Sequence, residues 1–103
     1  LEFRRVLFRS ANVFYNYDGT NFLNGATALT SGSRYKVGSA WGPDGTKKIV
    51  VTGGVVGSGP FDLDMAVGSS ISIGSSTANN MRISDVRIYS QKLTDAQLTA
   101  MVA

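Results

Sequence analysis

The chain contains no cysteine and no histidine. Disulfides, thiolate nucleophiles and imidazole bases or metal ligands are therefore outside its chemistry. Glutamate occurs once, as Glu2, and proline only as Pro43 and Pro60. No apolar run approaches the roughly 18 residues that a membrane-spanning helix requires, so no membrane insertion is expected. What remains is 103 residues with 43% hydrophobic and 17% charged side chains, a composition that fits one small folded domain and not a disordered tail.

The formal charge of +3 is unevenly placed: residues 1–10 carry three Arg and one Glu, whereas the rest of the chain carries seven Lys and Arg against six Asp. Residues 1–10 resemble a translated sequencing adaptor, since CTG GAG TTC AGA CGT GTG CTC TTC CGA TCT encodes Leu1 to Ser10 throughout. They are set apart as a non-native segment, and residues 11–103 are taken as the domain. The first residue is Leu, not Met, which with the adaptor reading implies a domain truncated at its N-terminus. The competing reading of residues 1–10 is a basic edge strand or a nucleic-acid-binding arm. Beyond them the basic residues are scattered through a near-neutral domain and form no electrostatic footprint, so no nucleic-acid partner is expected.

From Ala11 onward, turn signals recur every eight to twelve residues between short β-prone runs, the pattern of an all-β domain. Residues 11–17 alternate Val13, Tyr15 and Tyr17 with Phe14 and Asn16, and Asp18-Gly19 marks a turn before a return strand over 20–23. Asn24-Gly25 marks a second turn. Residues 34–42 place Tyr35, Val37, Ser39 and Trp41 on one face and Lys36, Gly38 and Ala40 on the other. Gly42-Pro43-Asp44-Gly45 supplies the next turn. Residues 47–52 predict a strand that Gly53-Gly54 folds back into Val55-Val56. Further strands are expected over 71–73 and 81–89, with Pro60 and a Gly- and Ser-rich stretch between. One helix is expected at the end: Thr94 and Gln97 have capping-box spacing, Leu93 and Leu98 can form a hydrophobic staple, and Asp95 suits the helix N-terminus. Leu98, Met101 and Val102 give its apolar stripe.

Met81 to Leu98 reads Met-Arg-Ile-Ser-Asp-Val-Arg-Ile-Tyr-Ser-Gln-Lys-Leu-Thr-Asp-Ala-Gln-Leu. This block resembles the closing strand and short helix of laminin G-like jelly rolls in the concanavalin A-like lectin and glucanase superfamily. Arg34-Tyr35-Lys36-Val37, the hairpin over 48–56 and Ser72-Ile73-Gly74 are similar to upstream parts of the same domains, so the resemblance covers residues 34–103. It implies an all-β jelly-roll β-sandwich, here N-terminally truncated, with one short C-terminal helix. Such domains recur in bacterial surface proteins and in phage tail or other virion appendages, and the Gly- and Ser-rich style is similar to the phage and environmental examples.

The glucanases of that superfamily carry Glu-x-Asp-x-x-Glu on one strand, for acid–base and nucleophilic work. This chain has no Glu beyond Ser10, and Asp62-Leu63-Asp64, flanked by Gly59 and Pro60, reads as a loop. No catalytic residue is assigned. Calcium is the one cofactor left open, through Asp62 and Asp64, or through Asp18 with Asn16 and Asn21, because Ca²⁺ prefers hard oxygen ligands. The commoner role of such residues is to bond their own turns. Gly53 to Gly59 resembles a phosphate loop superficially, but lacks the fingerprint order and a following Lys-Ser/Thr. Trp41, Tyr15 and Tyr17 are candidate sugar-stacking aromatics, with Asn79 and Asn80 as loop hydrogen-bonding groups; the competing role for the aromatics is core packing.

The expectation is thus a non-catalytic recognition module, carbohydrate-binding and lectin-like, in a larger extracellular or virion-surface protein, with a glycan or cell-surface ligand as partner and a parent that is oligomeric in some readings. The alternatives are a structural spacer or oligomerisation module, and a remnant of a glucanase-type hydrolase whose acidic strand is missing.

Overall fold

The computed structural model describes residues 5–10, 13–30, 32–63, 73 and 83–103; for 5–10 the description covers the backbone alone. Six strands and one helix follow in order: β1 Arg5–Ser10, β2 Val13–Tyr17, β3 Phe22–Asn24, β4 Val37–Trp41, β5 Thr46–Val51, β6 Gly57–Pro60 and α1 Asp95–Met101. They form two three-stranded antiparallel sheets, β1-β2-β3 and β4-β5-β6. The all-β expectation with one short C-terminal helix is met in this form.

Three layers follow from the alternation of side chains along β5, where Val51 pairs with Val37, Val50 with Gly38, Ile49 with Ser39, Lys48 with Ala40 and Lys47 with Trp41. Val50, Ala40, Leu98 and Val102 form one apolar cluster, with Leu93 and Val56 packed at its margin, so this face receives the helix. The opposite face carries Lys47, Ser39 and Ile49 and meets the first sheet, where Asn16 Nδ2 donates to Ser39 Oγ at 2.6 Å. Because β5 lies between helix and sheet, Ile49, Val50 and Val51 are all fully buried. That explains the unbroken Ile-Val-Val run, each residue of which contributes about 1.5–3 kcal/mol through burial.

Gly38 lets the helix come close: a Cβ there would lie 3.3 Å from both Leu98 Cδ2 and Val50 Cγ1. At the β4–β5 turn, Gly45 has φ +78°, a left-handed conformation that favours glycine, and its N–H donates to the Gly42 carbonyl at 3.3 Å.

Three sequence expectations are corrected. The return strand of the central hairpin is Gly57–Pro60, not Val55-Val56; Val55 is exposed, and the ladder begins at Ile49 opposite Gly57. Its residues have low strand propensity, but their smallness lets β3 lie over them, with Leu23 Cδ1 3.3 Å from where a Gly59 Cβ would be. Pro60, which has no N–H, closes an edge strand, where that loss is tolerated. Residues 83–89 belong to no strand and are exposed throughout. Their composition favours a strand, but that preference is realised only beside a partner, and none among the described residues is paired with them. Met101 is partly exposed, leaving Leu98 and Val102 to face the sheet. Of the strand expected over 71–73 only Ile73 is described, as an isolated β-bridge, and residues 81–82 of the strand expected over 81–89 lie outside the described residues. Residues 5–10, set apart on sequence grounds, pair through their backbone with β2 from Arg5 opposite Tyr17 to Ser10 opposite Val13.

Candidate functional site

Strand β2 presents two different faces. Asn16 points inward to Ser39, so its neighbours Tyr15 and Tyr17 point away from the second sheet. Across the four-residue turn, Tyr17 pairs with Phe22 and Tyr15 with Asn24, which brings Phe22 to the same outer face. The Tyr17 and Phe22 rings stack at 4.3 Å with 18° between their planes, and Tyr15 meets Phe22 edge to face at 5.2 Å. Phe22 remains 62% exposed. The Tyr17 hydroxyl donates to the Gly19 carbonyl at 2.8 Å, which fixes the ring against its own turn. The result is a preformed aromatic row on the outer sheet face, with Phe22 its most exposed member.

The turn beneath this row is held by Asp18. Its Oδ1 accepts N–H bonds from Thr20 at 2.9 Å and Asn21 at 2.7 Å, and its Oδ2 accepts from the Asp62 N–H at 2.9 Å. Between the sheets, Lys47 Nζ lies 3.3 Å from Asp18 Oδ2, both side chains fully buried. The same ammonium donates to the Asn16 carbonyl at 3.3 Å and the Asn21 carbonyl. Burial opposes ionisation of Asp18, but the N–H donors of Asn21, Asp62 and Thr20, with Lys47, outweigh it and hold the carboxyl below its ordinary value. Burial pulls the Lys47 ammonium below its ordinary value, with Asp18 acting in the opposite direction. The oxygen set of Asp18, Asn16 and Asn21, considered on sequence grounds for calcium, thus encloses the protein's own cation.

Asp62 lies at the end of this network, its Oδ2 accepting from the Thr20 hydroxyl. Asp64, Asn79 and Asn80 lie outside the described residues. Trp41 is separated from the two tyrosines: it is half-buried in β4, directly opposite Lys47 and on the side of that sheet that faces the first one. The sequence candidates are therefore split, with Tyr15 and Tyr17 brought together and Trp41 placed elsewhere. Phe22 was missed as a site residue. Its signal was available in the turn: a four-residue connection from Tyr17 puts Phe22 opposite it and on the same face.

The remaining described carboxylates are also engaged. Asp44 accepts two 2.8 Å bonds from Lys92 Nζ, and Asp95 pairs with Lys48. Asp85 pairs with Arg87 at 3.2 Å. Among the described residues no group of three or more acidic side chains could hold a metal ion, and no helix is long and apolar enough to cross a membrane. Compared with protein-family models, curated proteins and solved structures, the chain matches none.

Proposed function

We infer that the chain is a non-catalytic carbohydrate-recognition module of laminin G-like, jelly-roll type, acting at an extracellular or virion surface. The observation that carries this reading is the outer row of Tyr15, Phe22 and Tyr17, with Phe22 largely exposed. Aromatic rings offer large, rigid contact area at small entropic cost, and the apolar C–H face of a pyranose stacks on such a surface. The non-catalytic part is supported by the use of the described aspartates: Asp18, Asp44, Asp62 and Asp95 hold hydrogen bonds or ion pairs that brace the fold, and Asp85 pairs with Arg87 beside it. General acid–base work on a glycoside needs two carboxyl groups facing the same bond.

The test is titration with a panel of soluble hexasaccharides (cellohexaose, chitohexaose and xylohexaose among them) followed by calorimetry, comparing the native chain with Phe22→Ala. The expected result is binding of at least one member, weakened about tenfold by the substitution, with the melting temperature little changed because Phe22 is exposed. Binding that is indifferent to Phe22, or no binding to any saccharide, would overturn the reading and favour a structural role.

A further inference from the structure

Residues 83–89 stand out on grounds independent of the aromatic row. Ile83, Val86, Ile88 and Tyr89 are 49%, 52%, 68% and 49% exposed, an apolar content that a monomer's surface seldom concentrates in one short segment. Asp85 and Arg87 pair at 3.2 Å across a two-residue spacing, as side chains on one face of an extended segment do. Val86 and Ile88 then line the other face. The segment thus has the alternation and composition of a strand but joins neither sheet.

We propose that residues 83–89 of two copies of this chain pair as antiparallel strands centred on Val86. The charges select this arrangement. In the register centred on Val86, Asp85 of each copy lies directly opposite Arg87 of the other, giving four alternating charges on one face. Ile83 then lies opposite Tyr89, an aromatic and β-branched pair of the kind that stabilises cross-strand contacts. Sliding the register by two residues in either direction places Asp85 opposite Asp85, or Arg87 opposite Arg87. Parallel in-register pairing does both. Among pairings confined to residues 83–89, only the Val86-centred antiparallel one matches unlike charges twice, and it has the two-fold symmetry of an isologous contact. It also supplies main-chain partners to a segment that belongs to neither sheet.

A two-stranded ribbon is marginal alone, so the association is concentration-dependent and weakens with salt, which screens exposed charges. The experiment is sedimentation equilibrium of the native chain, Asp85→Arg, Arg87→Asp and the double variant carrying both changes. The native chain is expected to show a monomer–dimer equilibrium. Each single reversal sets like charges opposite one another and weakens the dimer about tenfold, whereas the double variant restores unlike pairing and the native constant. The substitutions lie on exposed positions, and unchanged melting curves verify that folding is retained. A native chain that stays monomeric at all concentrations, or single variants that dimerise as well as the native chain, would overturn the proposal. So would a double variant no better than the singles.

Discussion

Between the two sheets, Lys47 takes a place where an aliphatic side chain would ordinarily pack. Its ammonium meets Asp18 and two backbone carbonyls there. Removing one member of such a buried pair leaves the other uncompensated, at a cost of about 3–5 kcal/mol. Lys47→Met is therefore expected to lower the unfolding free energy by about 3 kcal/mol in urea titrations. Asp18→Ala is expected to cost more, because it also strips partners from the N–H groups of Thr20, Asn21 and Asp62. At the surface, Asp44 is held down to about 2, chiefly by its hydrogen bond from Lys92 and then by Thr46. A carboxyl whose folded pKa lies below its unfolded value stabilises fully above the unfolded pKa, near 4, and loses that contribution as pH falls towards the folded one. Asp18 is shifted in the same direction. The contribution of these two carboxyls is thus expected to be level above pH ~5 and to decline between pH ~4 and ~2. Carboxyl-carbon NMR should find the Asp44 midpoint near its low value, and Lys92→Gln should return it towards its ordinary range.

Helix α1 shows most clearly what local signals can carry. Its seven residues are too few to stand alone in water. The Thr94–Gln97 capping box closes its first turn in both directions, with Thr94 N–H donating to Gln97 Oε1 at 2.9 Å and Gln97 N–H to Thr94 Oγ1 at 3.2 Å. Thr94→Ala should cost about 1 kcal/mol and Leu98→Ala about 2–5 kcal/mol in chemical denaturation, the larger loss reflecting a fully buried contact with β4 and β5. The helix was legible because cap, staple and charge lie within a few residues of one another. Strands β2, β4 and β5 were legible for a similar reason: alternation or an Ile-Val run bounded by Asp-Gly and Pro-Asp-Gly turns. Strand β6 was not, since Gly-Ser-Gly-Pro has no strand preference of its own and owes its place to Leu23 packing over Gly59. Residues 83–89 failed in the opposite sense, with a strand's composition but no place in either described sheet. At the site, the alternation of β2 identified Tyr15 and Tyr17, but only the register across the turn adds Phe22. Trp41 shares their chemistry and not their face.

Across the whole molecule, the helix and the first sheet cover opposite faces of β4-β5-β6, and Tyr15, Phe22 and Tyr17 lie on the outer side of β1-β2-β3, with Phe22 largely exposed. The inner side of that sheet is committed to packing through Asn16 and the Asp18–Lys47 pair, so the aromatic row rests on a braced support. Rigid support beneath an exposed aromatic surface lowers the ordering cost of binding. The most direct test of the account is an aromatic ¹H–¹³C NMR titration of the full chain with the hexasaccharide panel. The account predicts that a bound saccharide moves the ring resonances of Tyr15, Tyr17 and Phe22 and leaves those of Trp41 in place. Saturating ligand that moves Trp41 alone, or a panel that moves no ring at all, would contradict it.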